Sequence, residues 1–197
     1  MYIDAEDDRI KQGDILKDLK YIDAHDPDIE YNLDFCVVLT QDCDLEQEIS
    51  AIDKFEASQQ PGFVLEKDKK MPTNDKYLST ILVCPAYPAD SVKAGIHMAP
   101  RGWKMQELNR DLWKPVLNND SPRYHHLKAD SKYGIPALVL DFKHYYTLPR
   151  EYVYTAKTTK LARLEDMFGQ AVVHRFSYFV SRVPLPEELE PVQPQQA

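Results

Sequence analysis

Asp34-Phe35-Cys36-Val37-Val38-Leu39-Thr40-Gln41-Asp42-Cys43-Asp44-Leu45 is the stretch that decides the fold. Phe35 to Leu39 is a short continuous apolar run, and Thr40 extends the β-forming series. It is too short for a typical helix and predicts a strand buried on both faces, over about residues 34–41. The character then changes abruptly to Gln-Asp-Cys-Asp. Polar groups at the end of a buried strand are where sites are commonly built.

Working outward, Gln12-Gly13-Asp14-Ile15-Leu16 reads as a turn feeding a first strand that runs toward Tyr21-Ile22, and 23–34 reads as a loop. Asp44 and Gln47 fit the cap and third position of a short helix. The charged stretch 46–76 has no sustained apolar period and reads as a mobile insertion. Tyr77 to Pro85 is a second buried strand, ended by Pro85 and Pro88. A short helix at 89–97 and a helix through Met105, Leu108 and Leu112, stopped by Pro115, make a helical excursion within a second insertion at 89–134. Strands are expected at 123–128, 135–142, 145–148 and 157–161. A closing helix over 163–182 carries Leu164, Phe168, Val172, Phe176, Phe179 and Val183 on one face. The segment 184–197 is rich in Pro, Glu and Gln and is expected to be disordered. This order, strand-rich without βαβ alternation, predicts a mainly β (α+β) single domain over 1–183, built as a small barrel or strongly curved sheet.

The 197 residues include 32 acidic and 24 basic side chains, a formal net charge of -8, which opposes nonspecific binding to nucleic-acid phosphates. The three cysteines, Cys36, Cys43 and Cys84, form no CxxC pair. With no secretory pattern at the acidic N-terminus, reduced thiols in a cytoplasmic protein are expected. No apolar run reaches the roughly 20 residues that span a bilayer, and neither a GxGxxG nor a GxxxxGK[ST] pattern occurs.

Four segments, taken in order, resemble the MazF/PemK-type toxin fold, a small SH3-like barrel. They are Gly13-Asp14-Ile15-Leu16, Asp34 to Thr40, Ile81-Leu82-Val83-Cys84-Pro85 and Ala137-Leu138-Val139-Leu140-Asp141, followed by the closing helix. The resemblance implies that barrel and a setting such as a toxin–antitoxin or defence-type system. Its RNA-cleaving chemistry does not carry over. Asp34 stands where the family has an arginine, and Ala86-Tyr87 stand where it has threonine or serine. An aspartate there repels the phosphate that the arginine would stabilise.

Candidate site residues fall into four groups. Asp42 and Asp44, alternate residues of an extended strand, would share a face and suit Mg²⁺ or Mn²⁺ in a nuclease, with Asp141 and His144 joining them. The same two aspartates also serve as a turn residue and a helix cap. Cys43 and Cys84 with His125 and His126 have the ligand chemistry of zinc but no knuckle spacing. Gln41, Cys43, Lys143, Tyr145 and Tyr146 are candidate binding residues, for single-stranded bases or for a protein surface. The first expectation is a binding or regulatory module whose partner is another protein, with a homodimer through the closing helix also open. The alternatives are the metal-dependent nuclease and a zinc-stabilised scaffold.

Overall fold

The computed structural model describes residues 1–5, 9–22, 28–58, 74–155 and 159–182. Its elements are β1 (Tyr2–Ile3), β2 (Asp14–Ile22), β3 (Glu30–Val38), α1 (Asp42–Ser58), β4 (Thr80–Pro88), α2 (Ala89–Lys93) and α3 (Arg110–Leu117). They continue with β5 (Tyr124–Leu127), β6 (Leu138–Asp141), β7 (Tyr146–Pro149), α4 (Arg150–Thr155), β8 (Lys160–Leu164) and α5 (Asp166–Val180).

The strands form one antiparallel sheet in the order β1-β8-β2-β3-β4-β6-β5, with β7 also paired to β4. No backbone pairing between described residues joins β1 to β5, so the sheet is open rather than a closed barrel. Its two ends nevertheless meet through a side chain. The Tyr2 hydroxyl donates to the Lys128 carbonyl just beyond β5, at 2.6 Å.

The sheet curls around one core. Tyr2, Ile15, Val37, Cys84, Leu127, Leu138, Leu140 and Ala162 from seven strands meet Val172 and Phe176 of α5. The opposite face of β2, β3 and β4 buries Leu16, Leu19, Cys36, Val38, Ile81 and Val83 beneath Leu45 of α1 and Val153 of α4. Residues 35–38 of β3 and 81–86 of β4 are therefore covered on both sides, which their continuous apolar sequences require. Cys36 and Cys84 are buried free thiols that act as small core hydrophobes, while Cys43 is exposed.

Several boundaries differ from the sequence reading. β3 starts at Glu30, inside the expected loop, and ends at Val38. Residues 46–58 belong to α1 rather than to an insertion without structure, and 59–73 lie outside the described residues. α1 begins at Asp42, which puts Asp44 in its first turn instead of at its cap. Pro85 does not end β4. That residue faces Cys36 on one side, and on the other it falls between the β7 pairing, which stops at Val83, and the β6 pairing, which starts at Ala86. A missing N–H costs nothing at such a gap.

The expected helix through Met105 starts only at Arg110, capped by the Asn109 side chain, which accepts from the N–H groups of Asp111 and Leu112. It continues past Pro115 to Leu117. The excursion itself is not foreign to the sheet, because β5 pairs along the whole of β6. The helix α4 was not foreseen, and β8 lies three residues later than expected. Val183 and the tail at 184–197 lie outside the described residues.

Two substitutions test the curled core by urea denaturation. Leu140→Ala is expected to cost about 2–5 kcal/mol through the cavity it leaves. Tyr2→Phe is expected to cost about 1 kcal/mol by leaving the Lys128 carbonyl without its donor. If Tyr2→Phe proves neutral, the bridge between the sheet ends contributes nothing.

Candidate functional site

The polar end of the deciding stretch lies beside α5. Thr40 Oγ1 accepts from the Leu82 N–H at 2.7 Å, which ties the chain to β4 as it leaves the sheet. Asp42 Oδ1 accepts from the Gln12 N–H at 2.6 Å, fastening the loop before β2 to the start of α1. The Cys43 sulfur lies 3.5 Å from Gln41 Oε1 and 3.7 Å from Asp44 Oδ1.

Two adjoining cavities open here. One, of about 450 Å³, is lined by Gln12, Gln41, Asp42 and Cys43 and by Asp166, Gln170 and His174 of α5. The second, of about 300 Å³, is lined by Thr40, Gln41, Asp44, Thr80, Thr147 and Ser177 over a floor of Leu39, Leu82 and Phe176. Gln41 and Val173 border both, so together they form one groove between the first turn of α1 and α5. Its floor is apolar and its rim polar, with three carboxylates and no lysine or arginine among the lining residues.

A second polar centre surrounds Asp141 at the end of β6. Its carboxylate is fully buried. Arg123 grips it with two hydrogen bonds, Nε to Oδ1 at 2.7 Å and Nη2 to Oδ2 at 2.5 Å. The Lys143 N–H donates to Oδ1 at 3.1 Å. His97 Nε2 and His144 Nε2 stand 3.6 and 3.7 Å from Oδ2, too far for hydrogen bonds of normal length. His97 packs on the Tyr87 ring at 5.0 Å, and His144 on Trp103 at 5.6 Å. Burial alone would raise the Asp141 pKa. The Arg123 hydrogen bonds and the neighbouring His97 overcome that, and the carboxyl is held down at about 2. Burial also lowers the pKa of His144, against the pull of the Asp141 carboxylate.

The remaining sequence candidates are dispersed. His125 and His126 sit on β5 next to each other. His125 is buried and packs on Phe142 at 6.3 Å, and His126 is half-buried. Burial, with the Arg175 and His126 charges adding to it, pushes the His125 pKa down to about 3. Burial also lowers that of His126, with the Lys128 charge adding to it. Tyr145 packs edge-on against Phe176 at 5.0 Å. Tyr146 lies against Tyr21 with ring centroids 4.4 Å apart.

The structure thus brings Asp141, Lys143 and His144 together, and separately gathers Gln41, Asp42, Cys43 and Asp44. No hydrogen bond or ion pair between described residues links Asp42 or Asp44 to Asp141. Among the described residues, no group of three His, Cys, Asp or Glu side chains is arranged to hold a metal ion. No helix among them is long and apolar enough to cross a membrane. Asp34 is an exposed residue of β3.

Sequence reasoning missed Arg123, His97, Gln170 and His174. Arg123 was within reach. Tyr124 faces Asp141 in the β5–β6 register, so the residue before it falls beside that carboxylate. His97, Gln170 and His174 arrive through tertiary docking and carry no local signal. Comparison with protein families, with curated proteins and with solved structures gave no match to this chain.

Two consequences are measurable. Arg123→Ala leaves a buried carboxylate unpaired and is expected to cost about 3–5 kcal/mol. A histidine held neutral by burial supports the folded state above pH 6.5. That support is lost as the pH falls from 6.5 toward the folded pKa, because the unfolded chain takes the proton first. With a folded pKa of about 3, His125 accounts for about 2 kcal/mol of lost stability between pH 7.5 and 5. In His125→Gln, unfolding free energies at the two pH values should differ by correspondingly less. An unchanged difference would remove His125 from the acid sensitivity.

Proposed function

We propose that the chain is a protein-recognition module on a MazF-like, strongly curved sheet, and that its partner enters the groove between the first turn of α1 and α5. The observation that carries this reading is where open space lies. The groove offers about 450 and 300 Å³ beside exposed Gln41, Cys43, Asp44, Gln170 and His174. The centre at Asp141 is packed, with its carboxylate fully buried and already gripped by Arg123. Asp42 is occupied with the Gln12 N–H, which favours a structural over a metal-binding role. A mixed rim over an apolar floor suits a protein segment. A subunit of a toxin–antitoxin or defence-type system is the setting that the sequence resemblance suggests.

A second reading rests on a different observation. The His144 side chain is 13% exposed, and its buried Nε2 faces Asp141 at 3.7 Å with Arg123 alongside, which leaves the other ring nitrogen to act as a base. A histidine with a carboxylate behind it and a cation nearby has the parts of a general base and an anion stabiliser. It would take the proton of a ribose 2′-hydroxyl as that oxygen attacks the adjacent phosphorus and the 5′-oxygen leaves.

One experiment separates these readings. Purified protein is incubated with single- and double-stranded RNA and DNA in Mg²⁺, Mn²⁺ or EDTA, alongside His144→Ala and Asp42→Ala/Asp44→Ala. The recognition module predicts no cleavage on any substrate. It also predicts that the partner encoded nearby co-purifies with the wild type and is lost from Ser177→Arg, which fills the groove from an exposed position. Cleavage that survives EDTA and vanishes in His144→Ala would establish the second reading. Chelator-sensitive cleavage lost in the double aspartate variant would overturn both.

A further inference from the structure

A separate feature lies on the other side of the sheet from the curled core. Tyr21 of β2 and Tyr31 of β3 are directly paired across the strands. Tyr146 of β7 packs on Tyr21 with ring centroids 4.4 Å apart. Between these three rings sits the guanidinium of Arg101, whose central carbon is 4.3 Å from the Tyr31 centroid, 4.9 Å from Tyr146 and 5.3 Å from Tyr21. Cations over aromatic faces within about 6 Å are attracted by the ring quadrupole, and rings arranged around one cation form an aromatic cage.

The occupant is only partly satisfied. Arg101 Nη2 is buried and has no hydrogen-bond partner. No ion pair joins Arg101 to a carboxylate among the described residues. Ring faces and the hydrogen bond to the Tyr146 side chain therefore hold it, and another guanidinium would satisfy both equally well. The cage walls stand on three strands of the sheet. The occupant stands on a single helical turn, Ala99–Arg101, at the tip of the excursion.

That tip is exposed and stands on a tightly closed base. In the run from Ala99 to Lys104, every residue except Arg101 is exposed. Gly102 has a positive φ of 71°, and nothing lies within 4 Å of where its Cβ would be. The base is closed tightly. A Cβ on Gly95 would stand 2.5 Å from the Met105 carbonyl oxygen, and the Met105 N–H donates to the Gly95 carbonyl at 3.1 Å.

We propose that Tyr21, Tyr31 and Tyr146 form a recognition site for an arginine side chain of a partner polypeptide, and that Arg101 occupies this site in the free protein. The net charge of -8 draws in a cationic partner. As the partner's arginine enters, Arg101 swings out with its exposed tip. The groove beside α5 plays no part, so either site can fail without the other.

The test uses the full chain and the amide-capped peptide Gly-Arg-Gly, with Gly-Gln-Gly as control. Arg101→Ala empties the cage and should bind the arginine peptide at least tenfold more tightly than the wild type. Tyr31→Leu on that background should abolish the gain. In the wild type, displacement carries Trp103 off His144, from 5.6 Å between centroids. Its fluorescence should change saturably with the arginine peptide, and Trp103→Phe should remove the signal. Two results overturn the proposal: folded Arg101→Ala that binds no more tightly than the wild type, or a wild type whose fluorescence the arginine peptide leaves unchanged. The wild-type arm holds even if Arg101→Ala fails to fold.

Discussion

A proline cannot donate a backbone hydrogen bond, and in β4 that constraint divides one strand between two neighbours. Up to Val83 its outer side pairs with β7, and from Ala86 it pairs with β6, while Pro85 falls in the gap. The inner side pairs with β3 at Val83, Cys84 and Pro85. Much of the rest follows from this division. β7 is turned toward the face covered by α1 and α4, and β6 toward the curled core and the excursion. The groove and the Asp141 centre are thereby kept on different parts of one continuous strand system.

The polar centres hold the outer elements in place. Burying a carboxylate is costly unless it is paired and hydrogen-bonded. Asp141 meets that condition through Arg123, and Asp14, also fully buried, meets it through Arg163 Nε at 2.7 Å. Glu48 is ion-paired with Arg150 of α4, 2.6 Å from its Nε, and accepts from the Leu78 N–H at 3.0 Å. The Asp14 and Glu48 pairs join elements more than 100 residues apart, and the Asp141 pair ties together the consecutive strands β5 and β6. Arg175 adds a further clamp, donating from α5 to the carbonyls of Asn119, Ser121 and Tyr124.

The strands that could be read from sequence are those with no polar face. Residues 35–38 of β3, with β4 and β6, are nearly continuous apolar runs because both of their faces are covered, and periodicity locates such runs well, whereas the exposed polar residues of 30–34 hid the first half of β3. Pro85 misled because its effect depends on which neighbour is present, and neighbours are a tertiary fact. α1 was shortened because it buries a charged residue, Glu48, whose partner lies about 100 positions away. A polar residue on the covered face weakens the apolar stripe that marks a helix. The two halves of the groove show the same divide. Gln41 to Asp44 announced themselves by an abrupt change of character, whereas Gln170 and His174 are ordinary exposed positions of α5 until that helix is docked.

The position of β8 fixes an order of events in time. Tyr2 and Ile3 of β1 pair with Leu164 and Arg163, and Asp14 and Ile15 of β2 pair with Arg163 and Ala162. β8 is thus wedged between β1 and β2. As the chain leaves the ribosome, β1 finds no strand to pair with until residues 160–164 arrive, more than 150 residues later. β2 and β3 can pair at once, but one edge of β2 stays bare throughout that wait. Pairings this distant in sequence make for slow folding. A bare strand edge held open so long invites wrong partners, so this chain is most exposed to misassembly during its own synthesis.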